Sequence, residues 1–186
     1  MNKKELNDMI AYEKLRTIGN MSLKHILKIS LTRQAAWNRY KFVKYMRLAN
    51  FYGNSVRGLY YSYLRNKYAN ILNYEITGKN IGKGLTLLHN GPIVIHGSAV
   101  LGENVIFHGN NCIGNNGISD ECPIIGNNVD IGYGATIFGN IKIADNIRIG
   151  AGSVVVSSFL EPGITIVGIP AKKKGEKSER EKNDES

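Results

Sequence analysis

Residues 124–155 read IIGNNVDIGYGATIFGNIKIADNIRIGAGSVV, and a large apolar residue stands at every sixth position. The same register extends back to residue 95, and its members are Ile95, Leu101, Phe107, Ile113, Ile125, Ile131, Ile137, Ile143, Ile149 and Val155. An amphipathic helix needs apolar residues three or four positions apart. A unit of six with an alternation of two inside it is typical of short strands.

The positions around this register predict how the strands are joined. Two residues earlier the side chains are mostly small or β-branched: Ile93, Ala99, Val105, Asn111, Pro123, Val129, Ala135, Ile141, Ile147 and Ser153. Three residues later come Ser98, Asn104, Asn110, Asn116, Asn128, Gly134, Asn140, Asn146 and Gly152. Asn and Gly readily accept a left-handed backbone, so the chain should turn every six residues. Three such faces would make a coil of about eighteen residues around an aliphatic column.

The register breaks once, at Ser119, inside a polar and turn-rich stretch. We therefore expect residues 115–123 to leave the coil as an excursion loop. The prediction is a β-helix over residues 73–171, with about five coils between residues 76 and 170.

The segments on either side of the β-helix differ from it in composition. Residues 1–72 are rich in basic and aromatic side chains at helical spacings, with Thr32 and Ser55 as expected N-caps and Gly53-Asn54 as a break. Residues 172–186 contain no apolar side chain and should form a disordered, charged tail.

The net charge of +9 is concentrated in the first part of the chain. Residues 1–75 hold 14 Lys or Arg against 4 Asp or Glu, and no carboxylate occurs between Glu13 and Glu75. Such a surface could face nucleic acid, an anionic membrane or an acidic substrate. No nucleic-acid motif is present, so we expect no nucleic-acid partner. A helical cap that packs on the β-helix and between subunits is favoured over peripheral membrane contact, which stays open.

Two cysteines, Cys112 and Cys122, are too few for a disulfide framework in 186 residues. No stretch is long and apolar enough for a membrane span, and the N-terminus lacks the apolar core of a signal peptide. These features predict a cytoplasmic protein.

Residues 85–97, LTLLHNGPIVIHG, place His89 between an apolar pair and an Asn-Gly turn. An isolated histidine in such a setting is often only a packed or surface side chain. Three stretches nevertheless resemble the serine acetyltransferase branch of the hexapeptide acyltransferases, which includes bacterial polysaccharide O-acetyltransferases. They are IGKGLTLLHNGPIVIHGSAVLGENVIFHGNNCIG, PIIGNNVDIGYGATIFGNIKIADNIRIGAGSVV and GIPAK, within residues 75–173. The resemblance implies a mainly β fold with α, a left-handed parallel β-helix of hexapeptide repeats after an N-terminal helical region.

The same resemblance implies the chemistry. His89 stands where the family has a general base, which takes the proton of the acceptor hydroxyl as its oxygen attacks acetyl-CoA. Glu75 is the nearest upstream carboxylate that could orient this imidazole, although one residue is missing from the family spacing. The family forms homotrimers and binds acetyl-CoA in a groove between neighbouring subunits. The positions implied for acetyl-CoA are Gly150, Ala151, Lys172 and Lys173.

Two departures from the family pattern bear on the acceptor. Leu88 stands where serine-specific members have an Asp, and Cys122 stands where they have a His. Without both charged groups a zwitterionic amino acid would lose paired contacts. His108 follows His89 by about one coil and could assist substrate binding. The sequence therefore favours transfer of an acetyl group to a carbohydrate hydroxyl, in a surface polysaccharide or its precursor.

Other possibilities remain open. Acetylation of serine or another small molecule is the alternative enzyme function, and a non-catalytic β-helical assembly or membrane-binding module is the alternative of another class. A zinc site would have to combine His89 and His108 with His96, whose spacings do not fit the expected ligand pattern, so no metal is expected. Cys112 lacks an obvious activating arrangement for a nucleophile and is expected to pack.

Overall fold

The structure is a computed structural model that describes residues 1–19, 27–28, 31–32, 34–76 and 79–174. Its helices with described bounds are α1 (Lys3–Ile18), α2 (Gln34–Tyr52) and α3 (Val56–Leu72). The strands follow in chain order: β1 (Tyr74–Ile76), β2 (Thr86–Leu87), β3 (Ile93–Ile95), β4 (Val100–Leu101), β5 (Ile106–Phe107), β6 (Asn111–Gly114), β7 (Ile124–Ile125), β8 (Asp130–Ile131), β9 (Thr136–Phe138), β10 (Lys142–Ile143), β11 (Arg148–Ile149), β12 (Val154–Val155), β13 (Thr165–Gly168) and β14 (Ala171–Lys173).

The strands form a three-sided prism. One face has the order β1-β3-β6-β9-β12, the second β10-β7-β4 and the third β14-β13-β11-β8-β5-β2, and we call these faces A, B and C. All pairings are parallel except β13 with β14. From β1 to β13, consecutive strands therefore lie on different faces, and each face pairs strands from successive coils. Strand β14 instead returns beside β13 on face C.

The aliphatic column is present as the six-residue register predicts. Every member of that register from Ile95 to Val155 is at most 3% exposed. The positions two residues before this register also point inward, and the two polar residues among them, Asn111 and Ser153, have hydrogen-bond partners. Asn111 accepts the N–H of Gly109 and donates to the carbonyls of Gly132 and Ala135. The Ser153 hydroxyl accepts the N–H of Gly168.

Most expected corners adopt the left-handed backbone. Positive φ angles occur at Asn104, Asn110, Asn128, Gly134, Asn146 and Gly152. Ser98, Asn116 and Asn140 were expected to behave alike and do not. At Asn140 the preceding Gly139 takes the positive φ of 90°. The Asn116 side chain instead accepts the N–H groups of Ile118 and Ser119, which starts the loop.

The coil length and the loop can be measured along a ladder of asparagine side chains. Asn128 donates to Asn146 across 18 positions, whereas Asn104 donates to Asn128 across 24 positions. The longer coil contains residues 115–123, which lie between the end of β6 and the start of β7. This stretch lengthens one coil by a net six residues without changing the register of the column.

The helices begin and end at identifiable caps. Asn2 and Glu5 form a capping box at α1, and Ser55 caps α3 by accepting the N–H of Gly58. The Thr32 hydroxyl donates to the Lys28 carbonyl at 2.8 Å, so in this bond it is a donor to the preceding turn and not an N-cap acceptor. None of the described helices combines the length and apolar character needed to cross a bilayer.

The β-helix extends further than its expected end at residue 171. Lys172 and Lys173 belong to β14, where Lys172 pairs with Val167 and Lys173 with Ile166. These two residues are therefore part of the fold and not the start of the tail. The chain reverses direction after Gly168, and β14 pairs antiparallel with β13. Residues 175–186, the rest of the expected tail, lie outside the described residues.

A buried ion pair joins the helices to the first coil. Glu13 of α1 and Arg47 of α2 are 1% and 4% exposed, and their closest oxygen and nitrogen lie 2.7 Å apart. Arg47 also donates to the carbonyls of Ile81 and Gly82, while Glu13 accepts the N–H of Gly84. Each charge therefore has partners for most of its hydrogen-bonding capacity, as a buried charge requires.

Removing one member of this pair should destabilise the protein strongly. We expect Glu13→Gln to lower the free energy of unfolding by about 3 kcal/mol, because it leaves Arg47 charged and buried without its carboxylate. Glu103→Gln is the matched control, since Glu103 is exposed, and it should change stability by less than about 0.5 kcal/mol. Urea denaturation followed by circular dichroism measures both, and equal stability of the two variants would contradict the role of the ion pair.

Candidate active site

His89 lies on the turn between β2 and β3, and neighbouring elements fix its backbone. The Tyr74 hydroxyl of β1 donates to the His89 carbonyl at 2.7 Å. Arg39 of α2 donates to the side chain of Asn90 at 2.9 Å, and the next amide, Gly91, donates to the α3 residue Leu72 at 3.1 Å. The turn that carries His89 is thus attached to the helical layer and to the first strand.

The Tyr74 hydroxyl is a dependable donor in this position. Burial raises the pKa of its phenol well above the ordinary value, and the nearby Arg39 guanidinium offsets this in part. The phenol therefore stays protonated across the physiological range, which keeps the bond to the His89 carbonyl intact. Sequence reasoning missed Tyr74, whose aromatic ring reads simply as a core residue.

The His89 side chain is exposed and sits over a glycine of the next coil. A Cβ placed on Gly109 would lie 3.4 Å from the His89 Cβ and 3.2 Å from the ring of Tyr133. The Gly109 φ of 117° and this close approach both suit glycine. Within the described residues no hydrogen bond engages the imidazole of His89, so both ring nitrogens are open to a substrate or a neighbouring chain.

Glu75 lies on face A and not on the turn that carries His89. It is the outward residue of β1, between the inward-facing Tyr74 and Ile76, and it pairs in register with Val94 on face A. It lines a cavity of about 450 Å³ together with His96, Cys112 and Phe138. In the described part of one chain its carboxylate makes no hydrogen bond to His89. Orientation of the His89 imidazole by Glu75 therefore stays a prediction.

His108 is instead the histidine with a carboxylate partner. Its Nε2 lies 2.8 Å from the Asp130 Oδ1, and the Arg148 Nε lies 3.7 Å from the other Asp130 oxygen. The Leu88 amide donates to the Phe107 carbonyl, which places Leu88 beside His108 on the preceding coil. An oriented imidazole therefore lies one coil from the turn that carries His89. Asp130 lies on β8 and Arg148, which contacts Asp130, lies on β11. Sequence spacing alone did not identify either residue.

Cys122 is paired with His96. The Cys122 Sγ lies 3.1 Å from the His96 Nδ1, and the Ser98 amide donates to the same nitrogen at 3.2 Å. Because that nitrogen accepts the amide proton, it carries no proton of its own, and the thiol is the donor of the other bond. Burial and then the Asp120 charge raise the pKa of the Cys122 thiol.

Cys112 is also held in its neutral form. Burial raises the pKa of its thiol, and the negative charge of Glu75 raises it further. A nucleophilic cysteine needs the opposite shift, toward the thiolate. The environment of Cys112 therefore favours the packing role expected from the sequence over an acyl-carrying one.

These shifts predict slow alkylation of both cysteines at neutral pH. A raised pKa leaves less thiolate at pH 7 than an ordinary cysteine has, so the rate with iodoacetamide should climb mainly above pH 9. Mass spectrometry of each cysteine peptide against glutathione as reference measures the two rates. Modification of Cys122 faster than glutathione at pH 7 would show a thiolate–imidazolium pair and contradict the assignment.

The residues implied for acetyl-CoA lie near the end of the β-helix. Gly150 and Ala151 form the corner after β11, and a Cβ on Gly150 would lie 2.7 Å from the Val167 side chain. Packing alone therefore explains the glycine. Lys173 forms an ion pair of 2.6 Å with Glu161. Lys172 is exposed and has no ion-pair partner among the described residues, so it is the freer of the two cations for a phosphate.

The three histidines considered for zinc do not converge. His89 lies on the turn before face A, His96 bonds to Cys122 and His108 bonds to Asp130. In the ranges that the structure describes, no group of three His, Cys, Asp or Glu side chains is arranged to hold a metal ion.

Three faces of parallel strands, wound from six-residue units, define a hexapeptide-repeat β-helix. Its turn between β2 and β3 carries the exposed His89. No family model matches the chain. It is 32% identical over 131 residues to a serine acetyltransferase of Buchnera aphidicola subsp. Schizaphis graminum, covering 68% of this chain and 49% of that protein. It is 36% identical over 97 residues to that of Synechococcus elongatus, covering 51% of this chain and 39% of that protein.

Solved structures agree over a larger part of the chain. The soybean serine acetyltransferase apoenzyme superposes with a TM-score of 0.70 at 28% identity, covering 92% of this chain and 69% of that one. Serine acetyltransferase of Neisseria gonorrhoeae gives 0.71 at 27% identity, covering 99% and 72%. The Brucella abortus enzyme in complex with Coenzyme A gives 0.66 at 26% identity, covering 93% and 67%.

The chain is a hexapeptide-repeat protein similar in sequence and fold to serine acetyltransferases, and its prism is a left-handed parallel β-helix. The fold class and the resemblance expected from the sequence are thereby confirmed. The chain spans about half the length of the curated relatives that it matches.

Proposed function

We propose that the chain is an acetyl-CoA-dependent O-acetyltransferase for a small hydroxyl-bearing acceptor, with serine as the first candidate. The observation that carries the proposal is the His89 imidazole, which is exposed and has no hydrogen-bond partner among the described residues, on a turn that Tyr74 and Arg39 hold in place. The relatives support the class of reaction, since they are named serine acetyltransferases. One similar solved structure contains Coenzyme A.

In the proposed reaction His89 acts as the general base. Its neutral imidazole accepts the proton of the acceptor hydroxyl while that oxygen forms a bond to the acetyl carbonyl carbon. Acetyl-CoA supplies the activated acyl group, and the carbon–sulfur bond breaks as the coenzyme leaves. The protonated His89 then returns its proton to the departing sulfur, so the imidazole ends the cycle neutral. No metal and no acyl-enzyme is required in this scheme.

The chain offers a fitting surface for the coenzyme at the end of the β-helix. Lys172 is an exposed cation without an ion-pair partner among the described residues, and the Gly150–Ala151 corner presents little side-chain bulk. Lys173 would first have to leave Glu161 before it could contact a phosphate. We therefore assign the phosphate contact to Lys172 ahead of Lys173.

A homotrimer belongs to the same proposal, with the active site at the groove between neighbouring prisms. Within one chain the Glu75 carboxylate faces the cavity on face A and makes no bond to His89. Orientation of the His89 imidazole by Glu75 is part of the same proposal and would need a change of side-chain conformation or a contact between chains.

The acceptor proposed here differs from the one that the sequence favours. Departures at Leu88 and Cys122 pointed to a carbohydrate, and the comparisons do not support that choice. The relatives in which the acceptor is named use serine, which was the alternative. A carbohydrate remains a second candidate on one observation, the exposed and apolar Leu88 beside His89. In either case His108, held by Asp130, is placed to hydrogen-bond an acceptor hydroxyl.

Replacing the proposed base should abolish turnover without unfolding the protein. We expect His89→Ala to lower kcat by roughly 10²- to 10⁴-fold, because the hydroxyl proton then has no oriented acceptor. Lys142→Ala, an exposed change on face B, is the control and should keep the wild-type rate. Thiol release from acetyl-CoA measures activity, and thermal unfolding confirms the fold. A rate within threefold of wild type would exclude His89 as the base.

The acceptor can be decided with a panel and one pair of variants. We expect wild-type turnover with serine, and we expect Leu88→Asp to raise kcat/KM for serine about tenfold by pairing its carboxylate with the ammonium group. Leu88→Asn is the matched control, because it adds polarity without charge. Turnover with hexoses or oligosaccharides and none with serine would establish the carbohydrate candidate instead.

A further inference from the structure

Helix α3 carries an apolar face that no part of the described chain covers. Val56, Leu59, Tyr60 and Tyr63 are 83%, 65%, 59% and 66% exposed. Their spacing of three and four residues places them along one side of the helix, and we call these four residues the α3 stripe. The opposite side of the helix contains the buried Gly58 and Leu72 and faces the rest of the molecule. The stripe is therefore an outer surface of the helical layer.

The charge around the stripe has one sign. Arg57 and Lys67 are both exposed on α3. Lys67 follows Tyr63 by four residues and so lies on the side of the stripe, and Arg57 adjoins Val56 at its edge. Between residues 14 and 74 the sequence contains twelve Lys or Arg and no Asp or Glu. The buried Arg47 is neutralised by Glu13, but that carboxylate lies inside the molecule and does not offset the outer cations. The α3 stripe is thus an apolar patch on a helix that contains cations and no carboxylate.

We propose that the α3 stripe docks the protein on an anionic lipid bilayer. The apolar side chains would enter the boundary between headgroups and acyl chains, while Arg57 and Lys67 would remain at the phosphates. Tyrosine suits this depth, because its ring is apolar and its hydroxyl stays hydrated.

Two other occupants fit the same surface less well. A second copy of the chain, docked through the same stripe, would bring two cationic surfaces together, and their electrostatic repulsion would destabilise the contact. A soluble polyanion would match the charge but would provide no apolar phase for Val56 and Leu59. Only an anionic lipid surface satisfies both the apolar side chains and the cations. The inference is independent of the reaction proposed for His89.

The test is flotation of the full chain with lipid vesicles in the absence of substrates. Vesicles of phosphatidylcholine alone are compared with vesicles that contain about 30% phosphatidylserine, a strongly anionic composition. We expect binding to the anionic vesicles only, with the bound fraction falling as salt is raised, because screening weakens the attraction of the cations.

Two sets of variants separate the apolar and the electrostatic contributions. The triple change Val56→Ser, Leu59→Ser and Tyr63→Ser should weaken vesicle binding by at least about tenfold. Ile118→Ser is its control, since Ile118 is 90% exposed on the excursion loop. Arg57→Gln with Lys67→Gln should weaken binding by several-fold, and Lys142→Gln is the charge-matched control. Circular dichroism and thermal unfolding verify that each variant remains folded.

The lipid proposal is overturned by any of three results with vesicles. These are absence of binding to anionic vesicles, equal binding to neutral vesicles, and binding that the stripe variants leave unchanged. Sedimentation velocity tests the competing occupant. If the stripe variants reduce the mass of the assembly, a second copy covers the α3 stripe and the lipid proposal is wrong. None of these measurements requires the chain to have acetyltransferase activity, so the two proposals can fail separately.

Discussion

The stacking of one inward side chain per six residues is the constraint on which the rest of the molecule depends. Because Ile95 pairs in register with Ile113, and Ile113 with Ile137, each coil lies directly on the previous one. Neighbouring strands of a sheet are about 4.8 Å apart, so outward residues that follow equivalent core positions become neighbours. Leu88 and His108 are such a pair, and so are His89 and Gly109. A slip of one residue would turn these side chains inward and dismantle the site together with the core.

The helical layer extends this order to the turn that carries His89. Glu13 and Arg47 fix α1 and α2 against the first coil through backbone groups at residues 81, 82 and 84. Arg39 lies two turns earlier on the same α2 helix and reaches Asn90, next to His89. The position of the imidazole therefore depends on a buried ion pair far from it in sequence. A single hydrogen bond from Tyr74 could not by itself fix the position and orientation of the turn.

The parts of this structure that could be predicted are those that repeat. The column, the three-sided coil and the loop at residues 115–123 follow from periodicity, because a core register leaves its signature at every coil. Contacts between single side chains leave none. Asp130 and His108 are 22 positions apart and His96 and Cys122 are 26 apart, distances that reflect one coil plus the net length of the loop. Glu75 is the partner for His89 that proximity in sequence predicts, and strand alternation points it outward on face A, where no hydrogen bond among the described residues joins it to His89.

The environment of His89 also limits which acceptors one chain can bind alone. An amino acid acceptor brings an ammonium group that needs a carboxylate, and the carboxylate near this turn, Asp130, is already engaged by His108 and Arg148. Leu88 contributes only apolar surface at the adjoining position. Serine would therefore need a carboxylate that the described residues around this turn do not leave free. A neutral sugar has no such requirement. In the proposed reaction, acceptance of serine thus depends on a carboxylate from outside the turn that carries His89.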